Sequence, residues 1–150
     1  MHYGAEATVI YRFLDNFGLL SSLEYVYPVN LDTRKALPFS PPLSVVSELY
    51  YHNTDKKFRI GMQVNYTASQ EIVAINESPT DGYTVFNISA QKSFNIGRNE
   101  IIALIAVRNL TDKYYLNHLS YYRRLNIPEQ GRNLIFSVKI PFKTNSINNV

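Results

Sequence analysis

The stretch FRIGMQVNYT, residues 58–67, alternates without a break. Phe58, Ile60, Met62, Val64 and Tyr66 fall on one side of an extended chain, and Arg59, Gly61, Gln63, Asn65 and Thr67 on the other. Successive side chains of a strand point to opposite faces, so this stretch reads as a β-strand with one apolar and one polar face. The same period recurs. AEATVIYRF sets Ala5, Ala7, Val9, Tyr11 and Phe13 against Glu6, Thr8, Ile10 and Arg12. YTVFNISAQKSF sets Phe86, Ile88, Ala90 and Phe94 against Asn87, Ser89, Gln91 and Ser93. LLSSLEYVY places Leu19, Leu23, Tyr25 and Tyr27 opposite Glu24. NLIFSVKIPF places Leu134, Phe136, Val138, Ile140 and Phe142 opposite Asn133, Ile135, Ser137, Lys139 and Pro141. LSVVSELYY and EIIALIAVRNL alternate less clearly, the second being apolar on both faces through Ile105. An all-β chain of about seven antiparallel strands is expected.

The connectors divide by length. LDNFG, HNTDKK and NIGRN are short and polar, as tight turns are. PVNLDTRKALPFSPP, SQEIVAINESPTDG and TDKYYLNHLSYYRRLNIPEQ are long. Periodicity alone leaves two architectures open. In a soluble sandwich or lipocalin-like barrel the apolar face is the core; in a transmembrane barrel it meets lipid. Two features favour the membrane. The polar faces carry Asn, Gln, Ser and Thr more than Lys and Glu, which suits a crowded wet lumen. Short turns at one end and long loops at the other are the outer-membrane pattern, and strands of about 9–11 tilted residues cross the apolar layer. Tyr and Phe at strand ends suit interfacial girdles.

Composition narrows the function classes. The chain has 150 residues, no Cys, and a net charge of only +3. A disulfide framework and a thiolate metal site are excluded. The densest basic clusters are the pairs Lys56–Lys57 and Arg123–Arg124, too thin for a nucleic-acid surface. No apolar run approaches the roughly 20 residues of a membrane helix, and HYGAEATV after Met1 lacks the basic and apolar regions of a signal peptide. The three His, at positions 2, 52 and 118, show no metal-ligand spacing. No Ser–His–Asp order, phosphate loop or paired carboxylates can be found, so neither an enzyme nor a cofactor is expected.

The segment VRNLTDKYYLNHLSYYRRLNIPEQGRNLIFSVKIPF, residues 107–142, resembles the C-terminal end of TonB-dependent outer-membrane receptors. Val107, Asn109, Leu110, Asp112, Lys113, Tyr115, Asn117, His118, Leu119 and Ser120 match the family pattern V-x-N-L-F/L-D/N-K-x-Y-x-N-H-L-S. Gly131, Arg132, Asn133 and Phe142 match its closing G-R-N and terminal aromatic. ALPFSPPLS and ESPTDGYTVFNISA are similar to upstream pieces of the same family, so the likeness covers nearly the whole chain. The wording NHLSYYRRLNIPEQGRN is similar to receptors of Bacteroidetes-type bacteria. Thr111 departs from the usual Phe, and residues 143–150 extend past the usual terminal Phe.

The resemblance implies residues 1–142 as the C-terminal portion of a barrel of roughly 22 strands, and residues 143–150 as an extension. It implies the outer membrane, a lipid-facing wall, a plug domain in the lumen, coupling through TonB, and uptake of a scarce ligand: an iron–siderophore, haem, cobalamin or another metal complex. Neither a plug nor a TonB box is read in these residues, so a truncated piece is expected, unable to transport alone. Seven strands cannot close as an antiparallel barrel, and open edges in lipid leave backbone groups unpaired. The candidate ligand contacts are His118, Tyr121, Tyr122, Arg123 and Arg124 in the last long loop, Arg pairing with carboxylate or catecholate oxygens. A hydrogen-bonded anchor remains open for His118, and a solvated loop tip for the others. Glu6, Glu24, Glu48, Arg59, Gln63, Asn65 and Asn87 are expected to face the lumen. Phe136, Ile140 and Phe142 carry, by resemblance, the signal read by the barrel-assembly machinery. The alternative is a small self-contained or soluble β-barrel or sandwich that binds a ligand.

Overall fold

The computed structural model describes residues 2–31, 34–97 and 99–141. Within them the strands are β1 (His2–Phe13), β2 (Phe17–Pro28), β3 (Ser44–Asn53), β4 (Phe58–Thr67), β5 (Tyr83–Ile96), β6 (Asn99–Arg108) and β7 (Asn133–Lys139). A 3-10 turn, Tyr121–Leu125, interrupts the last long connection. The strands form one sheet in the order β1-β2-β3-β4-β5-β6-β7, every neighbour antiparallel. Each strand pairs with its neighbours in sequence, as successive hairpins dictate.

Register fixes what shares a face. Glu6 pairs Glu24, Glu24 pairs Ser44, Glu48 pairs Gln63, and Gln63 pairs Asn87. Directly opposed residues point the same way. Glu6, Glu24, Glu48, Arg59, Gln63, Asn65 and Asn87 therefore lie on one face. The other face carries Val9, Tyr11, Tyr25, Leu49, Met62, Phe94, Ile105, Leu134, Phe136 and Val138, all largely exposed and reaching 72% at Phe136. A soluble sandwich or lipocalin-like barrel would bury such a face against a second layer. No second layer covers it among the described residues.

The strand limits differ modestly from the alternation. β1 starts at His2, before Ala5, and β5 runs on to Ile96. β7 stops at Lys139, so Ile140 and Pro141 follow the strand; Phe142 and residues 143–150 lie outside the described residues. In β6 the polar-side residues Leu104 and Ala106, with Ile135 of β7, line a cavity together with Gln130 and Gly131 of the last loop.

The short turns, at 14–16, at 54–57 and between β5 and β6, sit at one end, and the three long loops, between β2 and β3, between β4 and β5 and between β6 and β7, at the other. Most full burial among the described residues lies in the long loops. Ala36, Ser40, Ala74, Asn109, His118 and Arg123 are buried there, and Val85 is the buried apolar residue of a strand. The dry interior is thus a loop cap at one end of a single-layer sheet.

Candidate functional site: the long-loop end

The base of the third long loop is clamped by Asn109, which is 3% exposed. Its Nδ2 donates to the carbonyls of Lys113 (2.9 Å) and Gln130 (3.2 Å), and its Oδ1 accepts from the Lys113 N–H (2.8 Å). One carboxamide thereby joins both ends of the loop. Asn109 sits at φ 49, in the left-handed region that Asn tolerates better than most residues. Asp112 adds a second tie, its Oδ1 accepting the Arg132 N–H at 2.8 Å. A Cβ on Gly131 would come within 2.8 Å of that oxygen, so a larger residue there would displace the Asp112 carboxylate from this tie. Asn109 and Asp112 of the family-like pattern are accounted for by these contacts.

Above the clamp the three long loops meet at Glu77. Its Oε1 accepts the N–H of Phe39 from the first loop (3.0 Å), and its Oε2 accepts the N–H of Ala74 (3.1 Å). From the third loop Arg123 donates to the same Oε1 in an ion pair whose side chains are 4% and 2% exposed. Arg123 also donates to the carbonyls of His118 (2.6 Å) and Ser78 (3.0 Å). His118, 1% exposed, bonds through Nδ1 to Thr80 Oγ1 (2.8 Å). Its Nε2 lies 3.6 Å from Glu77 Oε1 and makes no hydrogen bond.

The electrostatics follow from this packing. Burial pushes the Glu77 carboxyl up, but the Phe39 and Ala74 N–H groups, then His118 and Arg123, outweigh it and hold it below the usual carboxylate range. Burial, reinforced by Arg123 and opposed by Glu77, holds the His118 imidazole below its ordinary value. Burial, with Tyr83 and Glu129 nearby, pushes the Tyr115 phenol up.

The structure separates the loop candidates into two groups. His118 and Arg123 are turned inward and saturated or packed. Tyr121 and Tyr122 are 65% and 62% exposed on the 3-10 turn. Arg124 is exposed beside them, its guanidinium 5.5 Å from the Phe39 ring centroid and 5.8 Å from that of Tyr121. Glu77 had no mark in the sequence, because its partner Arg123 is 46 positions away in an unpatterned loop.

On the sheet's polar face, Asn87 links two neighbours. It donates to Gln63 Oε1 (2.9 Å) and accepts the Asn109 N–H (2.9 Å). Arg59 pairs with Glu48 at 2.9 Å and stacks 4.5 Å over the Tyr50 ring. Gly18 and Gly61 leave the room: a Cβ would strike Tyr50 at the first and the Glu48 carboxylate at the second. Asn65 Oδ1 is buried without a partner, and Glu6 faces Glu24 with no ion pair to either among the described residues. Among the described residues no three His, Cys, Asp or Glu side chains converge to hold a metal.

Comparison with known proteins accords with this geometry. No curated protein sequence matches the chain. Among solved structures, the chain is similar to one described as "Copper transporter OprC", with a TM-score of 0.80 and 25% identity, over 91% of this chain and 23% of that one. The chain thus spans about a quarter of that transporter's length. The family described as "TonB dependent receptor-like, beta-barrel" matches residues 1–110. The chain belongs to the TonB-dependent receptor β-barrel family, an outer-membrane barrel.

Proposed function

We propose that the chain forms part of the wall and the outer loops of an energy-coupled receptor that takes up a scarce metal-containing ligand. The observation that carries this is the division of one seven-stranded sheet into an exposed apolar face and a polar face, with the long loops welded together at one end. The apolar face meets outer-membrane lipid and the polar face the lumen; the long loops lie outside the cell. The edges β1 and β7 pair with further strands of a barrel of roughly 22. A plug domain lies against the polar face, where the opposed Glu6 and Glu24 favour a basic partner, and TonB acts on that plug. Phe136, Ile140 and Phe142 serve the barrel-assembly machinery. A Bacteroidetes-type origin rests on the wording of the third loop.

The ligand-facing rim is Tyr121, Tyr122 and Arg124, with His118 and Arg123 holding it from beneath. Exposed Tyr and Arg side by side suit a metal chelate with planar or anionic donors. The ligand class is an iron–siderophore, haem, cobalamin or another metal complex, and the likeness to a copper transporter supports a metal cargo. Uptake by cells carrying the full-length receptor, tested with ferric catecholate, haem, cobalamin and copper(II), identifies the cargo. Replacing Tyr121, Tyr122 and Arg124 together by Ala is expected to weaken binding of that cargo by about a hundredfold, near 3 kcal/mol. Unchanged binding by that variant removes the rim from the site.

A further inference from the structure

The uptake reading leaves one buried cluster unused. Glu77, Arg123 and His118 join segments from all three long loops, and the His118 Nε2 is left without a hydrogen bond. We propose that these three residues form a latch that holds the long loops as one unit at neutral pH and releases them in mild acid. Its part in positioning the Tyr121–Tyr122–Arg124 rim rests on the preceding reading; the latch itself does not.

The geometry makes Glu77 the point where the loops are tied. Its two oxygens accept from Phe39 in the first loop, Ala74 in the second and Arg123 in the third. Removing the carboxylate leaves the Arg123 charge buried without its counter-ion, and breaking such a pair is strongly unfavourable. Every other bond of Arg123 goes to a backbone carbonyl, of His118 or Ser78, which cannot replace that charge.

His118 supplies the acid sensitivity. The charged groups facing it are Glu77 from the second loop and Arg123 from the third; Thr80 is neutral and the first loop presents the uncharged Phe39 to Arg123. Adding a proton to a ring only 1% exposed sets two cations against one carboxylate in a dry site. The folded cluster holds His118 below its ordinary value of 6.5, while opened loops let it protonate near that value. Stability from this group is therefore full above pH 6.5 and is lost as pH falls through the folded value. The opening constant rises by up to about tenfold per pH unit across that window. Glu77 acts in the same direction at lower pH, below its ordinary 4.5.

The test is hydrogen exchange, read by mass spectrometry on the full-length receptor in detergent and corrected for the intrinsic pH dependence of exchange. Peptides from 36–43, 70–80 and 115–126 are expected to open together, losing protection by up to about tenfold per unit below pH 6.5. His118→Gln keeps a partner for Thr80 without the titration, and is expected to flatten the profile below pH 6.5. Glu77→Gln is expected to raise exchange in all three segments about a hundredfold at neutral pH. Unchanged first- and third-loop exchange in Glu77→Gln overturns the latch, as does a His118→Gln profile that coincides with the native one. Copper(II) and ferric-catecholate binding, measured on the same samples, separates the two readings: joint opening with unaltered binding upholds the latch and overturns the rim.

Discussion

Asn109 shows how a single side chain can set a long loop. Its carboxamide satisfies three backbone groups from both ends of the third loop, at a position whose φ of 49 few other residues accept. Asn109→Ala leaves those part-buried groups without this partner, each at up to about 1–3 kcal/mol. We expect the loop to lose about 2–4 kcal/mol of local stability, measured as exchange of the 110–130 amides in the full-length receptor. Exchange within twofold of native would show that the clamp is dispensable. This much was legible at the residue scale, because Asn109 and Asp112 of the family-like pattern were visible before the contacts that explain them. Glu77 was not, since a buried ion pair between two irregular loops has no period and no fixed spacing to announce it.

At the scale of elements, strand type and facing were legible because alternation is a local property of the chain. Met62 and Gln63 are neighbours in β4, yet one belongs to the exposed apolar face and the other bonds Asn87 on the polar one. Met62→Arg is expected to cost about 2–4 kcal/mol, the penalty for a cation on the lipid face near the bilayer midplane. Gln63→Arg keeps its head in a wet, polar setting and is expected to cost under about 1 kcal/mol. Urea titration of the folded, heat-modifiable band of the full-length receptor compares them, and equal losses would contradict the assignment of faces. The strands that resisted reading were β3 and β6. In β6 the polar-side Leu104 and Ala106 line a cavity with residues of the third loop, a tertiary fact that periodicity does not carry. By contrast, the Lys57–Glu100 pair at the short-turn end is nearly half exposed on both sides, and such pairs contribute about 1 kcal/mol or less.

At the scale of the whole molecule, the chain is one layer of sheet with a cap of loops. A layer needs something on each face; in an outer-membrane barrel the apolar face meets lipid and the polar face the lumen, and here the third loop covers only part of the polar one. The 150 residues expressed alone are accordingly expected to aggregate on refolding in detergent, because β1 and β7 present unpaired edges. A monodisperse, heat-resistant species with barrel-like circular dichroism would contradict this. The most direct test of the central claim is a spin-label scan along 58–67 of the full-length receptor in bilayers, comparing collision with oxygen and with a water-soluble nickel chelate. The account predicts strict alternation, with labels at 58, 60, 62, 64 and 66 favouring oxygen and those at 59, 61, 63, 65 and 67 favouring nickel. A scan without alternation, or with its phase reversed, would contradict it.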